Sequence, residues 1–344
     1  MSTRNSFLAV SFTHYRAVAL VITATCALAL SSRPVSAVTV FSDQFNAGST
    51  LNAAPTAPTA SSTSYEFGVG SASGASSSIN PGDLSLGLGN TASVLGEIAA
   101  QFGAAPVTLA SIGDFIDLQI TWVATSNVFS GISGPSTQVA LGLYNSGGSA
   151  PQQGQTLFNS TSSPNGGAKN WEGYFGNAFG GSNSKTVARP KQTSATSAQN
   201  QELLFNNASG SQAFNSPQGG QLTSGSKATT IAETQGATNT SELRITLTGV
   251  SSLAVSNMMF AGAGTGGTLI FSENGTTNTA SDFTFDGLAF GWRSSAIAGN
   301  GPSNTVIDVQ SITVTTNVVP EPSAMMLVET GFALMLSLIR RRRS

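Results

Sequence analysis

The sequence predicts an all-β protein, an antiparallel β-sandwich of the jelly-roll kind. Only 9% of the residues are charged and 38 of 344 are glycine. Polarity therefore comes mainly from hydroxyl and amide side chains, which suit strands and turns. Short runs of alternating apolar and polar residues recur along the chain. No repeat has a fixed period, which argues against a solenoid or a propeller.

The first 37 residues have the pattern of a secretory signal peptide. Arg4 and Arg16 supply positive charge, and residues 17–30 form an apolar helical core (AVALVITATCALAL). Small or permissive residues at Val35 and Ala37 place the cleavage after Ala37. An uncleaved N-terminal anchor is the alternative, although the apolar run is short for a membrane span.

Residues 38–318 are expected to form the sandwich domain, and its clearest strand is FIDLQITWVA at residues 115–124. In this strand Ile116, Leu118, Ile120 and Trp122 share one face, which predicts a buried side and a wet side. Further strands are predicted at residues 38–45, 65–70, 84–88, 138–144, 171–179, 203–205, 228–233, 242–248, 253–260, 268–272, 283–292 and 305–315. Residues 91–102 fit a helix or a strand, and the strand-like neighbours favour a strand. The last strand changes its parity near Gln310, which predicts a β-bulge, and residues 180–200 are expected to form a polar loop.

The composition excludes several kinds of active site. His14 and Cys26 are the single histidine and the single cysteine of the chain. Once the first 37 residues are removed, disulfides, cysteine-based zinc sites, cysteine nucleophiles and histidine triads are excluded. Acidic side chains outnumber basic ones between residues 38 and 318, so nucleic-acid binding is not expected.

The last segment, residues 319–344, has three parts in a fixed order. Pro320, Glu321 and Pro322 come first, and the prolines disfavour a helix before the apolar run at residues 324–339. That run contains Ala324, Leu327, Phe332, Leu334, Leu336 and Ile339. As a helix it spans about 24 Å, less than the hydrocarbon core of about 30 Å. Glu329 interrupts the run, and its role is open.

The chain ends in a basic cluster formed by Arg340, Arg341, Arg342 and Arg343. The apolar run is predicted to be a transmembrane helix. The positive-inside rule then places the arginine cluster on the cytoplasmic side of the inner membrane.

The Pro-Glu-Pro motif, the apolar run and the terminal arginines together resemble the PEP-CTERM sorting signal of bacterial exported proteins. The resemblance covers residues 319–344, and Glu329 departs from the family's uninterrupted apolar runs. It implies export through the Sec translocon, temporary anchoring in the inner membrane and cleavage by the membrane protease exosortase. The mature protein is then expected at the cell surface or outside the cell.

The body also resembles concanavalin-A-like (LamG-type) jelly rolls. The resemblance lies in the order of the segments TVFSDQF, IGDFIDLQITW, ALGLYNSGG, TFDGLAFGWRS and VIDVQSITVTT. It implies a two-sheet sandwich and leaves the ligand open.

Two kinds of ligand site are candidates in the body. Trp171, Tyr174 and Trp292 are candidates for stacking on sugar rings, whereas Trp122 is expected in the core. Calcium accepts carboxylate and backbone oxygens on loops, and Asp43, Asp114 and Asp308 are its candidate ligands. No EF-hand loop is present, and no other cofactor is expected.

The sequence favours a non-enzymatic surface or matrix protein, with exopolysaccharide as a possible partner. A lectin-like module is the alternative, and a polysaccharide-active glycosidase or lyase is the rival enzyme. Glycosidases need two carboxyl groups about 5–9.5 Å apart. Asp114 and Asp117 are predicted to point to opposite faces, and Asp282 and Asp286 to lie about 13 Å apart. A lyase would also lack a histidine base.

Overall fold

A computed structural model describes the following parts of the chain: residues 37–46, 66–70, 76–88, 94–101, 106–124, 138–148, 170–179, 185–191, 203–204, 220–227, 236–294 and 305–318. These residues form seventeen β-strands. The first nine are β1 (Val38–Asp43), β2 (Glu66–Gly70), β3 (Ser76–Asn80), β4 (Asp83–Leu88), β5 (Val94–Gln101), β6 (Val107–Thr108), β7 (Phe115–Ala124), β8 (Gln138–Asn145) and β9 (Glu172–Phe179). The other eight are β10 (Lys185–Arg189), β11 (Thr223–Lys227), β12 (Thr238–Gly249), β13 (Ser252–Ala261), β14 (Thr268–Thr277), β15 (Thr284–Phe285), β16 (Gly287–Ser294) and β17 (Thr305–Thr316).

The larger sheet has nine strands, eight of them in the order β11-β14-β13-β12-β7-β17-β4-β3. The ninth strand, β1, pairs with the C-terminal half of β17, and β4 pairs with the N-terminal half of the same strand. All pairings are antiparallel. The register between β17 and β7 shifts between Val309 and Ser311, which confirms the predicted bulge.

The second sheet has six strands in the order β10-β9-β8-β16-β5-β2, and β15 pairs with β6 in a two-stranded ribbon. The two large sheets pack face to face, with β9, β10 and β8 against β13, β14 and β12. Leu118 and Ile120 of the larger sheet are fully buried in the same apolar cluster as Phe290 of the smaller sheet. Trp122 is also fully buried there, and its indole N–H donates to Ser241 Oγ over 2.9 Å. The predicted all-β sandwich is thus confirmed.

The six-stranded sheet also buries apolar side chains on the face turned away from this core. They form a second cluster: Ala99, Ala140, Tyr144, Trp171, Phe175, Val187, Leu203, Leu204 and Ala289. Leu203 and Leu204 belong to no strand and cover this outer face from outside the sheet. Gly287 leaves room for the Trp171 ring, which a Cβ at that position would approach to 2.6 Å.

Most predicted strands are present, and residues 94–101 form a strand, as the sequence favoured. Three local expectations were wrong. Leu203 and Leu204 form a bend. Their backbone N–H groups donate to the Glu97 carboxylate and do not pair with a neighbouring strand. Part of the expected polar loop is strand β10, which pairs with β9. The strand expected at residues 283–292 is broken at Asp286, whose carboxylate binds Ser146 N. The predicted strand at residues 228–233 lies outside the described residues.

The terminal helices predicted for residues 17–30 and 324–339 also lie outside the described residues. Within the part of the chain that the structure describes, no helix is long and apolar enough to cross a bilayer.

Candidate functional site

A pocket of about 220 Å³ lies where both large sheets end together. β9 begins and β10 ends at this pocket, and the segment that follows β14 closes its other side. Its lining consists of Glu172, Gly173, Tyr174, Ala188, Arg189, Pro190, Gly220, Thr277, Thr279, Ala280, Ser281 and Asp282. The floor is tightly packed, because a Cβ on Gly173 would overlap Leu143 O of the adjacent strand β8.

Two carboxylates of the pocket are held in place by neighbours. Glu172 Oε1 lies 2.9 Å from Lys191 Nζ, and the Glu172 side chain is 19% exposed. Asp282 Oδ2 accepts a 2.7 Å hydrogen bond from Asn145 Nδ2, and Asp282 Oδ1 accepts one from Thr284 N. Asn145 is also the strand-register partner of Glu172, so its backbone pairs beside one acid while its side chain binds the other.

Tyr174 lines the same pocket as these acids. The side chain is buried, with its ring 6.4 Å from the ring of Phe285. Burial raises the pKa of the Tyr174 phenol well above its usual range, and the charges of Asp282 and Glu172 raise it further. The phenol therefore remains a neutral hydrogen-bond donor over the physiological pH range.

The remaining polar groups of the pocket are the Arg189 guanidinium, which donates to Trp171 O, and hydroxyls of the segment after β14. Thr277, Thr279 and Ser281 line the pocket, and Thr279 N donates to Thr277 Oγ1 over 3.2 Å. The pocket thus combines carboxylate acceptors with hydroxyl and phenol groups. Such a set suits a neutral ligand with several hydroxyl groups.

A second polar cluster lies beneath Leu203 and Leu204 on the outer face of the six-stranded sheet. Glu97 is buried there, and its carboxylate accepts hydrogen bonds from Leu203 N at 3.4 Å and Leu204 N at 3.3 Å. Tyr144 Oη donates to Leu203 O over 2.7 Å. Burial raises the pKa of Glu97 to about 8, against the opposing effects of these N–H groups and the nearby Arg189. The cluster thus holds a segment of the protein itself.

Two more buried acids, Asp117 and Glu242, lie on the outer face of the larger sheet and are hydrogen-bonded to each other. Burial raises the pKa of Glu242 to about 8, and the Asp117 charge adds to the rise. Gln119 Nε2 donates to Asp117 Oδ2 over 2.9 Å. Arg244 opposes the shift at both acids, and its guanidinium lies 4.0 Å from the Phe115 ring centroid.

The three aromatic residues predicted to stack on sugars are buried. Trp171 and Trp292 have no exposed surface and Tyr174 is 4% exposed, so no ring face is open to a sugar, and the stacking prediction needs correction. The reason is that the six-stranded sheet is covered on both faces, so strand alternation sends each ring into one of two apolar clusters. Of the three, Tyr174 alone lines the pocket, where its edge and phenol are available.

The three aspartates predicted as calcium ligands are not brought together. Asp43 Oδ1 accepts from Phe45 N, whose residue has a φ of 54°, and Asp114 Oδ2 accepts from Ala110 N and Ser111 N. Asp308 accepts a hydrogen bond from Ser85 Oγ. Each therefore stabilises its own turn or strand pair. Within the described ranges, no three acidic, histidine or cysteine residues are grouped as metal ligands.

The sequence pointed to Tyr174 but missed Glu172 and Glu97 as features of the site. Glu97 is the single charge in the otherwise uncharged strand VLGEIAAQ, a pattern that could have drawn attention to it. The sorting motif, the apolar run and the arginine cluster of residues 319–344 lie outside the described residues and remain predictions.

Comparison with known proteins finds solved structures of similar fold but assigns the chain to no family. The chain matches no protein-family model, and no curated protein matches its sequence. Among solved structures, peanut lectin is 10% identical with a TM-score of 0.36 over 82% of this chain and 97% of its own. An endo-1,3-β-glucanase from Streptomyces sioyaensis is 14% identical with a TM-score of 0.40, over 83% of this chain and 98% of its own.

An alginate lyase in complex with alginate trisaccharide is 13% identical, with a TM-score of 0.32 over 73% of this chain and 87% of its own. The similar structures thus include both lectins and polysaccharide-cleaving enzymes of sandwich fold. At these identities the likeness concerns the fold alone.

Proposed function

We propose that the chain is an exported protein whose β-sandwich binds glycans in the pocket formed by Glu172, Tyr174 and Asp282. The observation that carries the proposal is the convergence of two carboxylates and a neutral phenol in one open pocket. Sugar hydroxyls donate to carboxylate oxygens and accept from a phenol, so a glycan offers a complementary partner to each of the three groups.

The electrostatics of the pocket specify the class of glycan. Lys191 is paired with Glu172, and the Arg189 guanidinium donates to Trp171 O. The acids Glu172 and Asp282 are balanced by the bases Lys191 and Arg189, so the pocket offers no excess positive charge to uronates or sulfated sugars, and neutral hexose units are favoured over alginate-like polymers.

Binding is tested by calorimetric titration of the protein with laminarin oligosaccharides, methyl-α-galactoside and alginate oligosaccharides. Glu172→Gln, Tyr174→Phe and Asp282→Asn are each expected to weaken binding of a neutral sugar about tenfold or more, as when a buried hydrogen bond to a charged group is lost. Asp83→Asn removes an acid from β4, outside the pocket, and serves as the charge-matched control. The proposal is refuted if the three pocket variants bind a neutral sugar as tightly as the control variant does, or if the protein binds no neutral glycan.

A polysaccharide-active enzyme is the second candidate, because a carboxyl group with a pKa near 8 can act as a general acid. Glu97 and Glu242 meet that condition, but Glu97 is buried and binds Leu203 N and Leu204 N, and Glu242 is hydrogen-bonded to Asp117. Two carboxyl groups in hydrogen-bond contact are too close to stand on either side of a glycosidic bond. We therefore propose a non-catalytic role. Release of reducing ends or unsaturated sugars from laminarin or alginate would contradict it.

We also propose that residues 1–37 direct export and that residues 319–344 anchor the precursor in the inner membrane until exosortase cleaves it. The ordered Pro-Glu-Pro, apolar and arginine parts of the sequence support this. Deletion of residues 320–344 is expected to release the protein into the medium. Unchanged association of the deletion variant with cells would contradict anchoring.

A further inference from the structure

The first and last described strands, β1 and β17, begin and finish at the same end of the larger sheet's strands. β1 begins at Val38, which pairs with Thr316, the last residue of β17. Asn317 and Val318 follow directly. The sheet therefore has one end from which the chain continues toward the apolar tail, and we refer to it as the exit end.

Two loop tips lie on the same side of β17 at the exit end, the first directly beside its end and the second beyond it. The turn that contains Ile112 precedes β7, and the turn that contains Val250 joins β12 to β13. Gly113 N donates to Leu247 O over 2.8 Å, which fixes the two turns side by side. Asn317 Nδ2 donates to Gly113 O, and Phe115 N donates to Asn317 Oδ1, so the chain leaves the body directly beside the first turn.

Large aliphatic side chains are exposed at these two tips. Val250 is 96% exposed and Ile112 is 73% exposed, whereas Leu269, near the opposite end of the sheet, is 49% exposed. These three are the exposed large hydrophobic residues of the described chain. The two most exposed ones thus point outward at the end where the tail begins.

We propose that Ile112 and Val250 contact the lipid surface while the tail anchors the precursor. The proposal rests on the anchoring part of the proposed function. Five residues, 319–323, separate Val318 from Ala324, so the two residues lie at most about 22 Å apart even when the chain between them is fully extended. The exit end therefore cannot move far from a bilayer that holds residues 324–339, and its apolar tips gain from burial at the interface.

The charges at the exit end favour a neutral lipid surface. The Asp114 carboxylate is turned back onto Ala110 N and Ser111 N, and Glu172 is paired with Lys191. No cluster of unpaired basic residues is present among the described residues of this end, so attraction to anionic lipids is not required for the contact. The appropriate probe is a vesicle of phosphatidylcholine and phosphatidylethanolamine.

The test places a fluorescent label at each position of the full-length chain. Ile112→Cys, Val250→Cys and the matched control Leu269→Cys are made in a Cys26→Ser background, labelled with an environment-sensitive dye and reconstituted into these vesicles. Labels at 112 and 250 are expected to shift their emission to shorter wavelength and to be quenched by nitroxide-labelled lipid, while the label at 269 stays water-like. Unchanged circular dichroism confirms that each variant is folded.

The outcomes distinguish the two proposals. If the protein floats with the vesicles but labels 112 and 250 behave like label 269, the lipid contact is refuted and anchoring stands. If the protein does not float with the vesicles, both the anchoring and the contact are refuted. Quenching at 112 and 250 alone supports the contact.

Discussion

The two large sheets each bury a carboxyl group on the face turned away from the core, but they stabilise it differently. In the six-stranded sheet, Glu97 binds the backbone N–H groups of Leu203 and Leu204. In the nine-stranded sheet, Glu242 binds a second acid, Asp117. The pKa of Glu97 and that of Glu242 are both raised to about 8.

The comparison shows that the same rise in the pKa of a carboxyl group can have two different structural causes. At Glu97 burial acts alone and every neighbour opposes it, so the acid serves to hold a covering segment. At Glu242 the Asp117 carboxyl adds to the effect of burial, and the pair holds a proton between strands β7 and β12. One acid is coupled to a distant segment and the other to its own sheet, and substitutions should separate these roles.

The largest effect is expected from removing the cover of the six-stranded sheet. Leu204→Ala opens a cavity in the outer cluster and should lower the free energy of unfolding by about 2–5 kcal/mol. Leu269→Ala, at a half-exposed leucine of β14, should change it by less than about 0.5 kcal/mol. Urea unfolding followed by tryptophan fluorescence measures both. Equal, small losses would mean that Leu204 is not packed as described.

The pH dependence of stability should reflect both acids. Unfolded Glu97 releases its proton near pH 4.5 and folded Glu97 near pH 8, so the folded state binds the extra proton across that window. Raising the pH from 5 to 8 therefore favours unfolding, by up to about 1.4 kcal/mol per pH unit for each such group. Melting temperatures are measured between pH 5 and 8 for the native protein, Glu97→Gln and Glu242→Gln. In each variant the melting temperature should depend less on pH than in the native protein. A native melting temperature that rises from pH 5 to 8 would contradict this.

A smaller effect is expected from the phenol that holds the covering segment. Tyr144→Phe leaves Leu203 O without its 2.7 Å hydrogen bond, which should cost about 1–3 kcal/mol because the carbonyl stays buried. Amide hydrogen exchange at Leu203 and Leu204 should accelerate, while exchange in β12 should change less. If the loss is uniform across both sheets, Tyr144 does not act on the covering segment in particular.

The smallest effect concerns the acid pair of the larger sheet. Asp117→Asn removes the charge that contributes to the raised pKa of Glu242, so that pKa should fall. Asp308→Asn, on β17, should leave it unchanged. Carboxyl carbon-13 shifts of Glu242, followed through a pH titration, measure the pKa in both variants. An unchanged value in Asp117→Asn would mean that burial alone accounts for the shift.

The parts of the fold that depend on local pattern were predictable from the sequence. The alternation of Ile116, Leu118, Ile120 and Trp122 predicts which face of β7 is buried, and all four are fully buried. The change of parity near Gln310 predicts the bulge of β17 because strand alternation has a period of two. Such signals lie within a few neighbouring residues.

The site was less predictable because its parts come from distant segments. Glu97 is buried by Leu203 and Leu204, which lie far along the chain and belong to no strand. Trp171 looks like a surface residue at the start of a strand, yet the covered outer face buries it. The pocket joins Glu172 to Asp282 through Asn145, a link that no local pattern reveals.

The position of β17 also determines when this protein can fold during its synthesis. Its partners include β1, the first described strand, together with β4 and β7. Because β17 is the last strand of the body, the nine-stranded sheet cannot close until residues 305–316 have emerged. Pairing across so long a sequence separation is slow to form. Closure of the larger sheet is therefore a late step, which follows synthesis of residues 305–316.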